Sequence, residues 1–252
     1  MKISLITVTY NSCITLKDTI ESVRRQGLKE LEYIIVDGGS ADGTVELLSQ
    51  STDVVTRWIS EPDKGIYDGL NKGVAMATGD LIGIIHADDV LAVSDTLKSI
   101  ISVYESNPFD LLYADLMYVS AENPDKVIRY WKSGLFEFQK LRKGWMPPHP
   151  TVYFSRDVLN RVGYFDTTYA IAADYDWMLR CLSLPDIKVA YLPQVTVKMR
   201  LGGASNRSLK NLVKKSYEDY KAIKRHSIGG IGTLFYKNFS KLGQFVSKAK
   251  TQ

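Results

Sequence analysis

The chain of 252 residues is 45% hydrophobic and 24% charged, a balance that excludes a disordered or low-complexity protein and fits one large α/β domain with room for a C-terminal appendage. Its net charge of +4 is unevenly spread: residues 198–252 hold 13 Lys+Arg against 2 Asp+Glu, and the part before them 19 against 26. A mildly acidic body therefore carries a basic tail, which suits an anionic partner (membrane surface, lipid diphosphate or nucleic acid) or simply a solvated helical face.

The first apolar run, residues 3–8, is too short for a signal-peptide core and reads as a buried strand, so export is not expected. No stretch approaches the roughly 20 apolar residues of a membrane span. Cys13 and Cys181 sit at a loop end and in a helix, which predicts a reducing, cytoplasmic compartment and no disulfide framework.

Strand-length apolar runs alternate with helix-length amphipathic stretches. Residues 3–8 precede a helix over 16–25, residues 32–36 one over 44–50, and residues 81–85 one over 96–104; residues 54–59 add a strand and 65–77 a helix, with Ile66, Leu70, Val74 and Ala77 at helical spacing. This βαβ rhythm predicts a parallel sheet with helices on its faces and ligands beyond the carboxyl ends of its strands. Polar clusters fall at those ends: Thr9-Tyr10-Asn11, Asp37-Gly38-Gly39-Ser40, Glu61-Pro62-Asp63 and His86-Ala87-Asp88-Asp89. After residue 108 the rhythm loosens into strands over 111–119 and 127–131, a Pro-containing segment at 144–150, a strand over 152–155, a helix over 174–182 and strands over 188–192 and 195–199. From residue 208 the pattern is helical, broken at Gly229, Gly230 and Gly232.

The first strand is not followed by G-x-G-x-x-G, which argues against the usual dinucleotide-binding oxidoreductases. A nucleotide base can still sit at Thr9, while Asn11 and Ser12 also read as helix N-caps. Asp37 ends an apolar strand, where a carboxylate needs a partner: a base N–H, a ribose hydroxyl or its own turn. Asp88 and Asp89 repel one another unless a cation relieves them, and oxygen ligands of this kind suit Mg²⁺ or Mn²⁺ shared with substrate phosphates. Asp174 and Asp176 open a helix, where they either favour its dipole or, for one of them, take a proton from an acceptor hydroxyl. His149, fixed between Pro148 and Pro150, is a metal ligand, a phosphate partner or a structural histidine; His86 lies nearer the acidic pair or merely ends its strand.

Together these motifs resemble those of the inverting glycosyltransferases of family 2, which have the GT-A fold. The residues that carry the resemblance are Thr7-Val8-Thr9-Tyr10-Asn11, residues 36–44, residues 63–73 with Tyr67, Asp68 and Lys72, Gly79-Asp80, His86-Ala87-Asp88-Asp89 and Ala173-Asp174-Tyr175-Asp176. They cover roughly residues 1–200. The resemblance implies a Rossmann-like, mostly parallel sheet with a nucleotide-sugar-binding half at 1–110, an acceptor-side half at 111–201 and a basic helical extension at 202–252. It implies that Thr9 and Asp37 hold the base, that Tyr10, Asn11, Asp68 and Lys72 lie towards the donor, that Asp88 contacts the ribose, that Asp89 binds the divalent cation and that Asp174 is the catalytic base. Ala173 stands where the family often has an acidic residue, and His86 where Asn is frequent; His86 points to a subgroup in which Pro148-His149-Pro150-Thr151 also recurs.

The expected reaction is a metal-dependent, inverting transfer of a hexosyl or N-acetylhexosaminyl group, UDP-sugar favoured as donor, to a saccharide or polyprenyl-linked saccharide in cell-surface polysaccharide synthesis. The basic tail places the enzyme at the inner face of the cell membrane. A sugar nucleotidyltransferase would need a Gly-rich phosphate loop after the first strand, which is lacking. A non-catalytic relative would not need Asp37, Asp88, Asp89 and Asp174 together. A nucleic-acid binder would need aromatic stacking platforms beside its lysines, which are not evident.

Overall fold

The computed structural model of the protein describes residues 1–202 and 209–239. The sheet begins with four parallel strands, β1 (Ile3–Thr9), β2 (Leu31–Asp37), β3 (Arg57–Ser60) and β4 (Leu81–Ile84), in the spatial order β3-β2-β1-β4. Side chains alternate across a strand. Ile6, Val8, Ile34 and Val36 therefore enter one core while Ile3, Leu5, Tyr33 and Ile35 enter another on the opposite face.

Three helices complete this half. Helix α1 (Cys13–Arg24) covers the second core through Leu16, Ile20 and Val23; α2 (Thr44–Ser49) follows β2. Helix α3 (Ile66–Met76) covers the first core through Tyr67, Leu70 and Val74. Gly69 and Gly73 let it lie close on β1, since a Cβ there would meet Val8 at 2.7 Å and Ile6 at 2.5 Å. Gly69 and Gly73 of the 63–73 motif thus serve packing, whereas Gly65 supplies a positive φ (114°) at the start of α3.

The second half is mixed. The two-residue β5 (Val90–Leu91) and α4 (Thr96–Ser106) lead into β6 (Leu111–Val119), β7 (Val127–Trp131) and the short α5 (Phe138–Leu141). A 3-10 turn (His149–Thr151), β8 (Tyr153–Ser155), α6 (Arg156–Val162), α7 (Ala173–Leu182) and β9 (Val189–Arg200) follow. β8 joins β4 to β6 antiparallel, β9 runs parallel to β6, and β5 pairs antiparallel with β9, so one sheet continues through both halves. The strands expected at 188–192 and 195–199 are the single strand β9. Its register slips where Leu192 faces Ala114 and Val195 faces Asp115, because Pro193 has no N–H for the ladder and the chain bulges there.

The tail holds α8 (Leu209–Arg225) and α9 (Ile231–Phe239). Ala222, Ile223 and Ile228 join the same core as Tyr175, Trp177 and Met178 of α7. The helical part of the extension is thus packed on the body; residues 203–208 and 240–252, which carry part of the basic charge, lie outside the described residues. Among the described residues no helix is long and apolar enough to cross a membrane.

Candidate active site

A cavity of about 1120 Å³ opens beyond the carboxyl ends of β1 and β4, large enough for a nucleotide-sugar. Its walls include Thr9, Tyr10, Asn11, Asp63, His86, Asp88, His149, Asp174 and Arg200. It collects side chains from both halves of the sheet and from α8, which contributes Asn211 and Lys214.

On the β1 side, Thr9 is buried with its hydroxyl left without a partner at the cavity wall. Tyr10 is 64% exposed. Asn11 holds a left-handed conformation (φ 47°), which its short polar side chain tolerates; its Oδ1 accepts from Ala41 N at 2.9 Å and its own N donates to Ser40 Oγ at 2.7 Å.

Asp37 does not reach the cavity. Fully buried, its carboxylate accepts from Gly39 N (3.1 Å), Ser40 N (2.9 Å), Ser60 Oγ (2.6 Å) and Ser40 Oγ, so it organises the turn after β2. Asp68 and Lys72 lie off the cavity as well. Lys72 Nζ is 2.7 Å from Glu61 and 3.7 Å from Asp68, whose Oδ2 also accepts from Lys64 N, a brace along α3 and the loop before it.

The acidic pair divides differently from the motif-based expectation. Ala87 and Asp88 form a turn closed by Asp89 N donating to His86 O at 3.0 Å, and the two carboxylates leave it in different directions. Asp88 faces the cavity; Asp89 is fully buried behind it, with Oδ1 accepting from Arg200 N at 3.3 Å and Oδ2 without a partner. Burial and the charge of Asp88 push the Asp89 carboxyl well above the usual carboxylate range. Arg200 pins the turn: its guanidinium donates to Asp88 O at 2.9 Å and pairs with Asp18 at 2.5 Å. Asp88, and not Asp89, presents its carboxylate to the cavity. Among the described residues no three His, Cys, Asp or Glu side chains converge as a metal cage. Asp88 at the wall, a carboxylate facing the cavity, fits a hard divalent cation held mainly by substrate phosphates.

A chain of four polar groups starts at His86, two residues before Asp88. His86 Nε2 is 2.7 Å from His149 Nε2, a contact that holds one proton; His149 Nδ1 is 3.2 Å from Asp174 Oδ2; and the single proton of Tyr67 OH is shared between Ile171 O at 2.5 Å and Asp174 Oδ1 at 3.2 Å. Burial presses the Asp174 carboxyl upward, but His149, Lys237, the Tyr175 N–H and Lys215 together hold it below its ordinary value. Burial lowers His86 against the pull of Asp88 and Asp174. Burial, reinforced by Asp174, pushes the Tyr67 phenol well up, so it stays a donor. Tyr67 lies inside the 63–73 motif; its hydroxyl partner was not legible there, since nothing local marks an atom that bonds across the sheet.

Asp176, two residues on, turns away from the cavity. It is fully buried and held by His226 (2.8 Å) and Arg180 (3.1 Å), a structural role.

A cavity beyond the ends of parallel strands, with the Asp88 and Asp174 carboxylates in its wall, fits a transferase of the GT-A type. The sequence pattern described as "Glycosyl transferase family 2" matches residues 4–173, and the chain belongs to that family. A PGL/p-HBAD biosynthesis glycosyltransferase of Mycobacterium tuberculosis is 30% identical over 208 residues, covering 81% of this chain and 78% of the relative. An uncharacterized glycosyltransferase of Methanocaldococcus jannaschii is 27% identical over 233 residues, covering 89% and 79%. The fold matches S. aureus TarS 1-349 in complex with UDP-GlcNAc (TM-score 0.72, 16% identity, covering 90% of this chain and 66% of that one). It also matches the Pyrobaculum calidifontis mannosyltransferase in complex with GDP-Man and Mn²⁺ (TM-score 0.67, 17% identity, 96% and 70%). Against a longer TarS chain, this protein spans 39% of the length.

Proposed function

We propose that this glycosyltransferase moves a sugar from a nucleotide diphosphate-sugar, a UDP-sugar first among candidates, to a hydroxyl of a saccharide or lipid-linked saccharide, with inversion, in cell-surface polysaccharide synthesis. The observation that carries the reading is that Asp88 and Asp174 line one cavity, with Asp174 paired to His149. Thr9, Tyr10 and Asn11 line the wall that takes the nucleoside.

Asp88 would hold a divalent cation, Mn²⁺ or Mg²⁺, which when bound supplies positive charge to the departing diphosphate. Asp174 accepts the acceptor's hydroxyl proton as that oxygen bonds to the anomeric carbon. The bond from that carbon to the phosphate oxygen breaks at the same time, its electron pair leaving with the nucleoside diphosphate. Attack from the face opposite the leaving group inverts the centre, and no enzyme nucleophile is required.

The acceptor side favours a lipid-linked substrate. The outward face of α8 carries exposed Lys210, Val213, Lys214, Tyr217, Lys221 and Lys224, whereas its two acids, Glu218 and Asp219, are buried. Lys214 also lines the cavity, so the site opens beside a face suited to an anionic membrane surface. Incubating the chain with UDP-, GDP- and dTDP-sugars, with and without Mn²⁺, tests the reading. Metal-dependent release of one nucleoside diphosphate is expected; binding without release from any donor would leave a non-catalytic relative.

A further inference from the structure

Helix α7 starts at Ala173 with Ala172 in the N-cap position, a residue whose side chain has no acceptor. The amide N–H groups of residues 170 and 171 precede the helix and that of Ala172 is at its N-cap, so none of the three has an acceptor within α7. Glu218 of α8 supplies the acceptors: Oε1 accepts from Ala170 N at 3.1 Å, and Oε2 from Ile171 N at 2.8 Å and Ala172 N at 3.0 Å. The residue is 6% exposed, so these three charge-assisted bonds form largely out of water, where geometry is held firmly. Its negative charge also sits where the N-terminal end of the α7 dipole favours one.

The same short loop leads directly to the cavity. Ile171 O accepts from Tyr67 OH, and that hydroxyl reaches Asp174 Oδ1. Asp174 follows Ala172 by two residues, on the first turn of α7. Neighbouring contacts prevent α8 from drifting: Arg225 pairs with Asp166 at 2.6 Å, His226 with Asp176 at 2.8 Å, and Lys237 of α9 with Asp219 at 2.5 Å. Glu218, Asp219, Arg225, His226 and Lys237 all lie beyond residue 173, where the family match ends.

We infer that Glu218 is a positioning residue for Asp174, so that helix α8 belongs to the catalytic apparatus of this transferase and is not an appendage. The inference rests on Asp174 as the base. Glu218→Gln keeps the side-chain shape and one carbonyl oxygen, enough for Ile171 and Ala172 but not for Ala170; Glu218→Ala removes all three acceptors. The donor wall is built from other elements and should not respond.

The test uses the full chain. UDP affinity is measured by calorimetry with Mn²⁺, hydrolysis of UDP-glucose and UDP-N-acetylglucosamine gives kcat, and amide hydrogen exchange is followed over residues 170–174. The expected result is a graded loss of kcat from wild type through Glu218→Gln to Glu218→Ala, reaching about 10²-fold, with UDP affinity unchanged and exchange at 170–174 accelerated. Unchanged kcat in a folded variant would overturn the inference, as would a parallel fall of kcat and UDP affinity, the mark of general destabilisation. If Glu218→Ala does not fold, Glu218→Gln decides. Wild type inert towards both donors would count against the transferase reading for UDP-sugars, and exchange at 170–174 in Glu218→Gln would still decide the clamp: unaltered exchange refutes it.

Discussion

His149 and Asp174 meet at 3.2 Å, Nδ1 to Oδ2, although one comes from a proline-fixed 3-10 turn and the other from the first turn of α7. The contact gives the carboxylate a fixed direction and leaves Tyr67 on its other oxygen. Replacing Asp174 by Asn keeps the volume and removes the proton acceptor. Asp174→Asn should fold, bind UDP as wild type does and lose about 10²–10⁴-fold in kcat for donor hydrolysis. Turnover near wild type would remove Asp174 from the base role.

The same pair sets a pH dependence. His149, then Lys237, the Tyr175 N–H and Lys215, hold the Asp174 carboxyl below its ordinary value against the upward push of burial; Tyr67 touches its other oxygen, and His86 lies one step away through His149. A base with a depressed pKa is ionised, and active, at every pH above that pKa, so in wild type Asp174 contributes no loss of rate between pH 8 and the ordinary carboxylate range. His149→Gln withdraws the first of the opposing charges and leaves burial less opposed. The acidic limb of kcat/KM should move to higher pH in that variant, measured by donor hydrolysis across pH 4 to 8. An unmoved limb would show that His149 does not control the charge on Asp174.

How far these relationships were legible in the sequence depended on the range of the forces involved. The parallel strands β1 to β4 follow from local apolar periodicity, and their polar ends marked the cavity wall at Thr9, Asn11 and Asp88. Asp37 carried the same strand-end signature but spends its acceptors on its own turn, a choice fixed by Ser60 from a neighbouring strand. Asp88 and Asp89 were indistinguishable in sequence because only the direction of the backbone at the end of β4 decides which one faces the cavity. Glu218 was invisible for a related reason: a glutamate among lysines on a helix reads as solvated, and its three partners lie more than 40 residues earlier in the chain.

The acidic pair gives a direct comparison. Asp88→Asn removes the carboxylate that faces the cavity, so Mn²⁺-dependent binding of UDP should weaken by at least about 10- to 100-fold, the scale on which metal sites respond even to losses outside their immediate ligands. Asp89→Asn leaves the Asp88 oxygens in place and retains an acceptor for Arg200 N. It should keep its Mn²⁺ dependence, whatever its effect on melting temperature. Calorimetric titration of UDP with and without Mn²⁺ separates the two, and a loss of metal dependence in Asp89→Asn alone would restore Asp89 as the ligand.

The outward face of α8 predicts an association that depends on lipid charge. Lys210 and Lys224 are exposed and stand apart from the cavity lining, while Val213 and Tyr217, 71% and 69% exposed, offer apolar contact between them. A lysine near an anionic surface contributes about 1 kcal/mol, so replacing both by Gln should weaken binding by about 30-fold. Cosedimentation of the full chain with phosphatidylcholine vesicles, with and without phosphatidylglycerol, reads this directly. Binding should need the anionic lipid, fall as salt is raised because the charges lie in solvent, and drop in the double variant while hydrolysis of a soluble donor is retained. Equal binding to neutral vesicles, or a double variant that binds as wild type does, would mean that this face of α8 does not hold the enzyme at the membrane and that its lysines are a solvated surface.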